Sequence, residues 1–388
     1  MKTDVLIIGA GPTGLALALS LKEAGIDCIV VERRLDIENT SRAAVIHAHT
    51  LDVLDELGVA QPLVEKGLKL TRFCMRDRGQ KLLQLNFDKL PTEHPFLLMI
   101  PQDCTERILL EALLNAGGMV RWGATVEAIE QTPEGVTARI ASSQGVNVIQ
   151  ARYTIGADGM HSLVRQTAGI GFAGGTYEES FILADVDMDW PLGQSEVSLF
   201  LSPEGMVVVA PLPEENRYRI VAAVDTAPEH PQLADIQALL DSRGPEYGTK
   251  VRSVIWSSRF RVHHRLAERY SKGRLFLMGD AAHVHSPAGG QGMNTGLVDA
   301  CLLGRMLADV LSGRCDERYL DCYELKRKPA AEEVLRIAGR LMGMATMQNA
   351  VKRRARNIVL RILNRLPSLK RKLEMNLSGL SRKYAAKI

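Results

Sequence analysis

The sequence predicts an α/β protein: a domain of alternating strands and helices, an antiparallel β-sheet inserted into it, and a C-terminal helical tail. Three observations support this prediction. Glycine-rich turns at 9–14 and 279–294 each follow an apolar strand and precede a helical pattern. Between them, residues 176–264 form short, often alternating apolar segments separated by turn residues, which is typical of an antiparallel sheet. Residues 351–388 are strongly basic and follow a helical pattern.

Bulk composition limits the class of protein. A chain of 388 residues exceeds one typical core, so two domains are expected. The six cysteines include no CxxC pair, which indicates reduced thiols in a cytoplasmic protein and predicts no metal site. The first strand begins by residue 4, which leaves no room for a signal peptide, and no apolar run reaches the ~18 residues of a membrane span.

Charge is distributed unevenly along the chain. Residues 351–388 carry twelve Lys or Arg and one acid, a net of +11, so the total of +3 leaves −8 for residues 1–350. Only the tail is therefore suited to an anionic surface, and no nucleic-acid partner is predicted.

The first glycine turn has the pattern of a dinucleotide-binding site. It follows the strand DVLII, and a helical pattern runs on to a stop at Gly25. Gly9 permits the tight turn, Gly11 lets a pyrophosphate approach the backbone, and Gly14 lets the helix pack on the strand. A second strand ends at Glu32, whose carboxylate can accept hydrogen bonds from the hydroxyls of an adenosine ribose. This pattern alone does not separate NAD from FAD.

The second glycine turn indicates FAD. The strand in GRLFLMGD ends at Asp280, where a carboxylate suits the hydroxyls of a ribityl chain. The stretch SPAGGQGMNTG then lets backbone amides approach a flat ring, and a helix is predicted from about Asn294 to Leu311. The positive end of that helix dipole would favour the negative charge of reduced flavin.

Three motifs resemble those of a known family: GAGPTGLALALSLKEAGIDCIVVERR, TIGADGMHSLVR and GDAAHVHSPAGGQGMNTGLVDA. Their order and spacing are similar to those of the class A flavoprotein monooxygenases typified by para-hydroxybenzoate hydroxylase, in the branch that hydroxylates phenols, hydroxyphenylpropionates and polyketide aromatics. The resemblance implies a Rossmann-type FAD-binding domain with an inserted antiparallel β-sheet substrate domain. Many members of that branch carry a thioredoxin-like C-terminal domain, which this sequence lacks.

The resemblance also implies roles for single residues. Arg33 would lie near the adenine, and Arg42 would reach the pyrophosphate or the flavin, with a solvated arginine as the alternative. Gln102 would contact the ribityl segment or else cap its helix, and Asp158 would serve FAD and the nicotinamide donor or else cap the next helix. The predicted cofactor-binding set is Gly9, Gly11, Pro12, Thr13, Gly14, Glu32, Arg33, Arg42, Gln102, Val126, Asp158, Gly159, Asp280, Gly290, Gly292, Met293 and Asn294.

Two residues are candidates for the active site proper. Pro287 is predicted to form a wall beside flavin and substrate, and His47 is the candidate for proton transfer. The alternative for His47, as for His49, His283 and His285, is a hydrogen-bonded structural histidine beside a glycine turn.

The predicted domain organisation is discontinuous. The FAD-binding domain takes residues 1–70, 98–175 and 265–345, the substrate domain takes 71–97 and 176–264, and the tail takes 346–388. The tail places Ile358, Leu360, Ile362, Leu363 and Leu366 among basic residues. A helix packed on the acidic body or on a second subunit is the preferred interpretation, an interfacial membrane helix is the alternative, and the tail is expected to be dispensable for chemistry.

The predicted function is that of an FAD-dependent monooxygenase. By resemblance, NAD(P)H would reduce FAD, and O2 would react to form a flavin C4a-hydroperoxide that hydroxylates a small aromatic molecule. The alternatives are hydroxylation of a lipid-like or quinone substrate at a membrane surface, a halogenase, and a non-hydroxylating flavoprotein. The three tryptophans are isolated, which disfavours the halogenase because it carries a WxWxIP stretch.

Overall fold

The structure, a computed structural model, describes residues 1–37, 43–287, 289–347 and 349–386, with the backbone alone at 177–179 and 384–386. The first ten strands are β1 Lys2–Ile8, β2 Cys28–Val31, β3 Val45–Ile46, β4 Leu68–Leu70, β5 Arg72–Asp77, β6 Gln80–Asn86, β7 Leu97–Met99, β8 Val120–Arg121, β9 Thr125–Gln131 and β10 Val136–Ser142. The next nine are β11 Gly145–Gly156, β12 Phe172–Asp189, β13 Val197–Ser202, β14 Gly205–Pro211, β15 Arg217–Val224, β16 Lys250–Ala267, β17 Ser271–Lys272, β18 Leu275–Leu277 and β19 His283–Val284.

The helices are α1 Pro12–Glu23, α2 Ala48–Asp55, α3 Ala60–Lys66, α4 Gln102–Asn115, α5 Leu163–Thr167, α6 Leu233–Arg243, α7 Gln291–Leu311, α8 Asp321–Ala345, α9 Ala350–Asn364 and α10 Pro367–Leu377. Short 3₁₀ turns span Gly279–Ala281, Glu317–Leu320 and Leu380–Ala386. Helix α7 begins at Gln291, three residues before the predicted start, because glycines 289 and 290 take left-handed backbone angles that end the preceding loop.

The first sheet holds the two glycine-rich turns at one edge. Its strands run in the order β17-β18-β11-β1-β2-β8, and β18, β11, β1 and β2 are parallel neighbours. Strands β1, β2 and β18 are apolar and lie in the core with helices α1 and α7, as expected of a parallel sheet covered by helices. The predicted α/β class, with a parallel sheet covered by helices, is confirmed.

The second sheet is almost entirely antiparallel, with strand order β19-β16-β12-β15-β14-β13-β5-β6. Strands β5 and β6 come from the excursion at 71–97, and β13 pairs with β5 in parallel. The predicted inserted sheet is therefore confirmed. Its long strands β12 and β16 extend beyond 176 and 264 to Phe172 and Ala267, because they continue to pair with each other there. The division into domains at those residues stays a proposal.

The tail covers strand β6, which forms one edge of the second sheet. The backbone N–H of Gln84 donates to Asn364 Oδ1 at 3.0 Å, and that of Asn86 donates to Glu374 Oε1 at 2.9 Å, so side chains of α9 and α10 take the place of a further strand. Arg356 is buried and donates from Nη2 to the carbonyl of Leu201 at 3.0 Å. An uncovered edge strand invites pairing with other chains, and the tail prevents this.

The tail also reaches the second glycine-rich loop. After α10, the carbonyl of Leu377 accepts from Gln291 Nε2 at 3.0 Å, and Arg382 Nη2 donates to Gln291 Oε1 at 2.8 Å. The carbonyl of Ser378 accepts from the N–H of His49 at 3.2 Å. We call residues 377–382 the C-terminal brace, because they fix the first turn of α7 from behind.

A chain ending at residue 349 should be much less stable than the full chain. It would lose the buried leucines 360, 377 and 380, each worth roughly 1.5–3 kcal/mol, and would expose the edge of β6. We expect the free energy of unfolding in urea to fall by about 5 kcal/mol or more, and FAD retention to fall with it. Leu366 is exposed, so Leu366→Ser is the control and should change the free energy of unfolding by less than about 0.5 kcal/mol.

A truncated protein that keeps its stability and its FAD would support the sequence-based expectation that the tail is dispensable. The contacts of the brace lead to the opposite expectation. Among the described residues, no helix is both long enough and apolar enough to cross a bilayer.

Candidate active site

Three turns meet at one edge of the first sheet. The first glycine turn follows β1, residues 157–159 follow β11, and the Gly279–Ala281 turn follows β18. These strands are adjacent and parallel, so their carboxyl ends lie side by side. Ligands of open α/β sheets bind outside the carboxyl ends of the strands. We call these three turns the rim.

The first glycine turn is shaped by close backbone contacts and one open position. Gly9 has φ of +104°, and a Cβ there would lie 2.3 Å from the carbonyl oxygen of Ala157. A Cβ at Gly14 would lie 2.0 Å from the carbonyl oxygen of Gly9. At Gly11, by contrast, a Cβ would have no other heavy atom of the described chain within 4 Å beyond its immediate chain neighbours. Space is therefore kept at the N-terminus of α1, which includes Pro12 and Thr13.

Glu32 is buried directly behind this turn. Its Oε2 accepts from the N–H of Ala10 at 2.8 Å, and its Oε1 accepts from the N–H of Arg34 at 3.0 Å. Burial would raise the pKa of Glu32, but these two N–H donors and the Arg34 guanidinium together lower it below its usual value. The group is an ionised acceptor at the end of β2, as the sequence predicts.

Two further predicted cofactor-binding residues differ in exposure. Arg33 is exposed. Val126 has its side chain in the core on β9. The segment before it is tied to Glu32, because the Ala124 N–H donates to the Glu32 carbonyl at 2.9 Å. Arg42 lies outside the described residues.

Asp158 both caps a helix and keeps one oxygen unused. Its Oδ2 accepts from the N–H of Leu163 at 2.7 Å, so the capping role that the sequence left open is present at the start of α5. Its Oδ1 is buried without a hydrogen-bond partner among the described residues, and burial raises the pKa of the carboxyl group. Gly159 follows with φ of +77°.

Arg165 connects two of the rim turns, and the sequence reasoning missed it. Its Nη1 donates to the carbonyl of Ala281 at 2.8 Å, and its Nη2 donates to the carbonyl of Met160 at 2.7 Å. The guanidinium lies 3.8 Å from the ring centroid of Phe172. The arginine stands in the motif TIGADGMHSLVR, so its position in that motif was the available signal.

The second glycine-rich loop leads from the rim to α7. Asp280 is exposed on the 3₁₀ turn, and Pro287 is half-buried, with its carbonyl accepting from the N–H of Gly290 at 2.9 Å. Gly290 has φ of +62°, and a Cβ there would lie 2.2 Å from Val45 Cγ1. Among the described residues no side chain caps α7, so the N–H groups at Gln291, Gly292 and Met293 remain available.

The segment 43–47 joins this loop to the rest of the molecule. Asn294 donates from Nδ2 to the carbonyl of Val45 at 2.9 Å and accepts from the N–H of His47 at 2.7 Å. Ala43 is held from two sides: its N–H donates to Gln102 Oε1 at 3.3 Å, and its carbonyl accepts from Arg219 Nη1 at 2.8 Å. Gln102 thus begins α4 and supports this segment.

Arg219 was not predicted from the sequence, and it links the second sheet to the segment 43–47. It is buried on β15 and pairs with Asp185 on the neighbouring strand β12, with Nη2 and Oδ2 at 2.7 Å. An arginine and an aspartate in otherwise apolar strands were the signal that could have revealed it.

Helices α1 and α7 cross at very short range. A Cβ at Gly296 would lie 2.5 Å from Thr13 Oγ1, and one at Gly304 would lie 2.4 Å from Ser20 Oγ. The crossing fixes the start of α1 relative to the start of α7. The two helix N-termini therefore belong to one rigid unit.

A buried ionic network supports the rim from below. Asp299 of α7 is fully buried, with Oδ1 accepting from Arg327 Nε at 2.6 Å and Oδ2 lying 2.6 Å from His283 Nε2. Oδ2 also accepts from the N–H of Gly279 at 3.2 Å. Burial would raise the pKa of Asp299, but Arg327 and His283 outweigh this and lower it. The sequence reasoning missed Asp299, although an acid within an apolar helix pattern was a usable signal.

The four candidate histidines occupy closed positions. His47, His49 and His283 are buried, and His285 is half-buried against the ring of His283. His47 Nε2 lies 3.0 Å from the carbonyl of Gly289. Burial, followed by the charge of Arg382, lowers the pKa of His47 to about 4, so it is neutral at pH 7.

His47→Gln should make the protein less sensitive to acid. Folding lowers the pKa of this buried imidazole from 6.5 to about 4. The unfolded chain therefore takes up a proton first as pH falls, and the stability present above pH 6.5 is lost progressively towards pH 4. At pH 5 the effect of one such histidine is about 2 kcal/mol. We expect the stability difference between pH 7 and pH 5, measured in urea, to shrink by that amount. Loss of turnover at every pH, with stability and FAD binding retained, would instead favour proton transfer by His47.

The rim has the features that FAD requires. Two helix N-termini have no side-chain cap among the described residues: that of α1, beside the open position at Gly11, and that of α7, after the second loop. Glu32 lies behind the first glycine turn, and the exposed Asp280 lies on the third turn of the rim. Uncapped N–H groups at a helix start bind phosphates and other anions. The residues of the rim and of the second glycine-rich loop therefore fit FAD. No cluster of potential metal ligands occurs in the described part of the chain.

Comparisons with known proteins agree with this fit. The sequence model of the family described as FAD binding domain matches residues 2–338. A 6-methylpretetramide 4-monooxygenase from Streptomyces rimosus is 34% identical over 98% of this chain and 70% of the relative. A pentachlorophenol 4-monooxygenase from Sphingobium chlorophenolicum is 33% identical, over 85% of this chain and 63% of the relative.

Solved structures give the same fold. The crystal structure of a p-nitrophenol 4-monooxygenase from Pseudomonas putida DLL-E4 superposes with a TM-score of 0.91 at 24% identity, and the match covers 100% of both chains. The family match spans most of the chain and includes all three turns of the rim. The chain therefore belongs to the FAD-binding-domain family of flavin-dependent monooxygenases.

Proposed function

We propose that the protein uses NAD(P)H and O2 to hydroxylate a small aromatic molecule. The observation that supports this most directly is the pair of uncapped helix N-termini, of α1 at the rim and of α7 after the second loop, which the α1–α7 crossing holds in one unit. The names of the sequence relatives describe monooxygenases acting on 6-methylpretetramide and on pentachlorophenol. FAD, when bound, supplies the redox chemistry that accepts hydride and activates oxygen.

The residues of the chain would bind and orient the cofactor. In our proposal the amides after Gly11 hold the pyrophosphate, Glu32 accepts from the ribose hydroxyls, and Asp280 accepts from the ribityl hydroxyls. The amides of Gly292 and Met293, at the positive end of α7, favour negative charge on the reduced ring. Pro287 forms a wall of the substrate site by its shape.

The histidine at 47 has a structural role in this proposal. It is neutral and holds the loop through Gly289 and Asn294, so it orients backbone groups and moves no proton. In this proposal Asp158 serves both FAD and the nicotinamide donor. Its Oδ2 caps α5, and its Oδ1 has no hydrogen-bond partner among the described residues.

Asp280→Ala should weaken FAD binding more than Asp158→Ala does. A lost hydrogen bond to a charged group costs roughly 1.5–3 kcal/mol, which corresponds to about tenfold to a hundredfold in the dissociation constant. Asp158 is already engaged by two backbone N–H groups, so its loss should act mainly on α5 and on the Michaelis constant for NAD(P)H. FAD titration of each apoprotein measures the difference. Equal or reversed losses would contradict this division of roles.

The test of the function itself is substrate-stimulated turnover. Holoenzyme is mixed with NADH or NADPH and a panel of phenols and polycyclic aromatics, while oxidation of the nicotinamide is followed and products are identified by mass spectrometry. We expect at least one phenol to accelerate oxidation and to gain one oxygen atom. Reduction of the flavin by neither nucleotide, or oxidation without any oxygenated product across the panel, would contradict the proposal.

A second candidate function is hydroxylation of a lipid-like substrate at a membrane surface. The tail helices pack on the body with one side and leave a second apolar side in solvent. Each apolar residue of this outer face is more than two-fifths exposed: Val351, Ile358, Val359, Ile362, Leu366 and Leu369. Exposed cations stand among them, namely Lys352, Arg354, Arg361, Arg365 and Lys372.

Two partners are considered for the outer face, a second copy of this chain and an anionic bilayer, and the positive charge of the face distinguishes them. In a homodimer formed through this face, like-charged residues would meet across the two-fold axis, whereas anionic lipid would pair with them. We therefore propose peripheral contact with an anionic bilayer. Vesicles containing phosphatidylserine should co-sediment the protein at low salt and release it at high salt, while phosphatidylcholine vesicles should not. Unchanged binding in Ile358→Asp, or a stable dimer in the absence of lipid, would contradict this.

A further inference from the structure

A small, partly open cavity lies behind the second glycine-rich loop. It lies between α2, α7, Arg327 of α8 and the C-terminal brace, and its volume is about 20 Å³. A cavity of this size holds one species as large as a water molecule. Its lining includes His49, Gln291, Thr295 and Arg382.

Two buried histidines at this cavity have polar atoms without partners. His49 is 5% exposed, and neither of its ring nitrogens has a hydrogen-bond partner in the described protein. Nδ1 of His47, which also lines the cavity, has no partner either, but Nε2 of that neutral ring faces the carbonyl of Gly289 and carries the proton, so Nδ1 is an acceptor. Buried polar atoms are rarely left unsatisfied, so these atoms indicate a bound species.

Charge at the cavity is positive. Arg327 is neutralised by Asp299, and the nearby cations Arg305 and Lys383 pair with Glu56 and Asp52. Arg382 differs: it donates to Gln291 Oε1 and to the carbonyl of Asn376, and it forms no ion pair with any residue of the described ranges.

The field of these cations is felt at His49. Burial first, and then the charges of Arg327, Arg382, Lys383 and Arg305, lower the pKa of this imidazole to about 3. Burial opposes a charge of either sign at this position, whereas the cations oppose only a positive charge and would attract an anion. A water molecule would satisfy the nitrogen atoms. The charge of Glu333 acts on Arg382, but the two form no ion pair in the described ranges, so an anion in the cavity would give the guanidinium a counterion in direct contact.

We propose that this cavity binds a single monatomic anion of the size of chloride, held by Arg382 and by an N–H of His49. The ion would join the C-terminal brace to the first turn of α7, since Arg382 and Gln291 already contact each other at its border. It would therefore stabilise the loop that leads to the rim. The proposal does not depend on which substrate the protein hydroxylates.

Thermal unfolding of the full-length holoenzyme in two salts tests this proposal. Sodium chloride and sodium gluconate are compared at equal ionic strength, because gluconate is too large for the cavity. We expect chloride to raise the unfolding temperature saturably by about 2 °C above gluconate, as binding to the folded state alone requires. Arg382→Met should remove the chloride-specific part. Arg318→Met, an exposed arginine elsewhere, should retain it.

Bromide in crystals of the wild-type protein gives an answer that does not depend on a variant folding. We expect an anomalous peak in the cavity within hydrogen-bond distance of Arg382 and His49. Identical unfolding curves in the two salts, or bromide peaks elsewhere with none in the cavity, would show that the space holds only water and would overturn the proposal.

Discussion

Replacing Gly11 by alanine should weaken FAD binding by about a hundredfold without reducing the stability of the apoprotein. A Cβ at this position would meet no protein atom within 4 Å among the described residues beyond its chain neighbours, so the fold has no reason to reject it. The same methyl group would occupy the space through which a pyrophosphate reaches the amides of α1. Two or more hydrogen bonds to a charged group, at roughly 1.5–3 kcal/mol each, account for the expected loss.

Fluorescence titration of the apoprotein with FAD measures the affinity, and thermal unfolding of the apoprotein measures the stability. Gly79→Ala is the matched control, since that glycine is equally open and its backbone angle is outside the left-handed region. Gly9→Ala is the contrasting case. Its Cβ would meet Ala157 O at 2.3 Å, and it should lower stability and affinity together. Wild-type affinity in Gly11→Ala would place the cofactor elsewhere.

Asp299→Ala should be the most destabilising single substitution considered for this protein, at about 3–5 kcal/mol. It would leave Arg327 buried without its counterion and His283 without its hydrogen-bond partner, and removal of one partner from a buried ion pair has a cost of this size. Asp309→Ala is the control on the same helix. Its partner Arg314 is largely exposed, so we expect less than about 1 kcal/mol.

The pH dependence of the contribution of Asp299 to stability follows from the direction in which folding shifts the pKa of this carboxyl group. A carboxyl group whose pKa is lowered in the fold stabilises it above the unfolded pKa of about 4, and this contribution is lost as pH falls below that value. The difference between wild type and Asp299→Asn in urea should therefore be complete at pH 7 and should shrink below pH 4. An equally small effect for Asp299 and Asp309 would show that the network does not support the rim.

Local pattern was enough to predict the two glycine turns and the elements around them. The strand before Gly9, the acid at position 32 and the strand RYRIVAAV all lie where the sequence places them, because each is defined by residues close together in the chain. The α1–α7 crossing could not be predicted in this way. Its contacts join Thr13 to Gly296, and a glycine in a helix does not reveal which side chain it faces.

The tail shows most clearly where pattern fails. Its helices and its basic charge are visible in the sequence, and the structure confirms the helices. The partners of its polar residues are not visible, since Asn364 and Glu374 bond to backbone groups of β6 about 280 residues earlier. A sequence pattern describes what a helix can bury, and only the folded chain shows which edge it covers.

During synthesis, the glycine-rich loop at 289–294 leaves the ribosome well before the segment that fixes it. Gln291 and Arg382 are 91 residues apart, which corresponds to about 5–18 s at 5–20 residues per second. The nascent protein therefore passes through a period in which both parallel-sheet turns exist but the start of α7 is still unsupported. We expect capture of the flavin to follow synthesis of the brace, and a stalled ribosome carrying residues up to 350 to display a sheet that does not retain FAD.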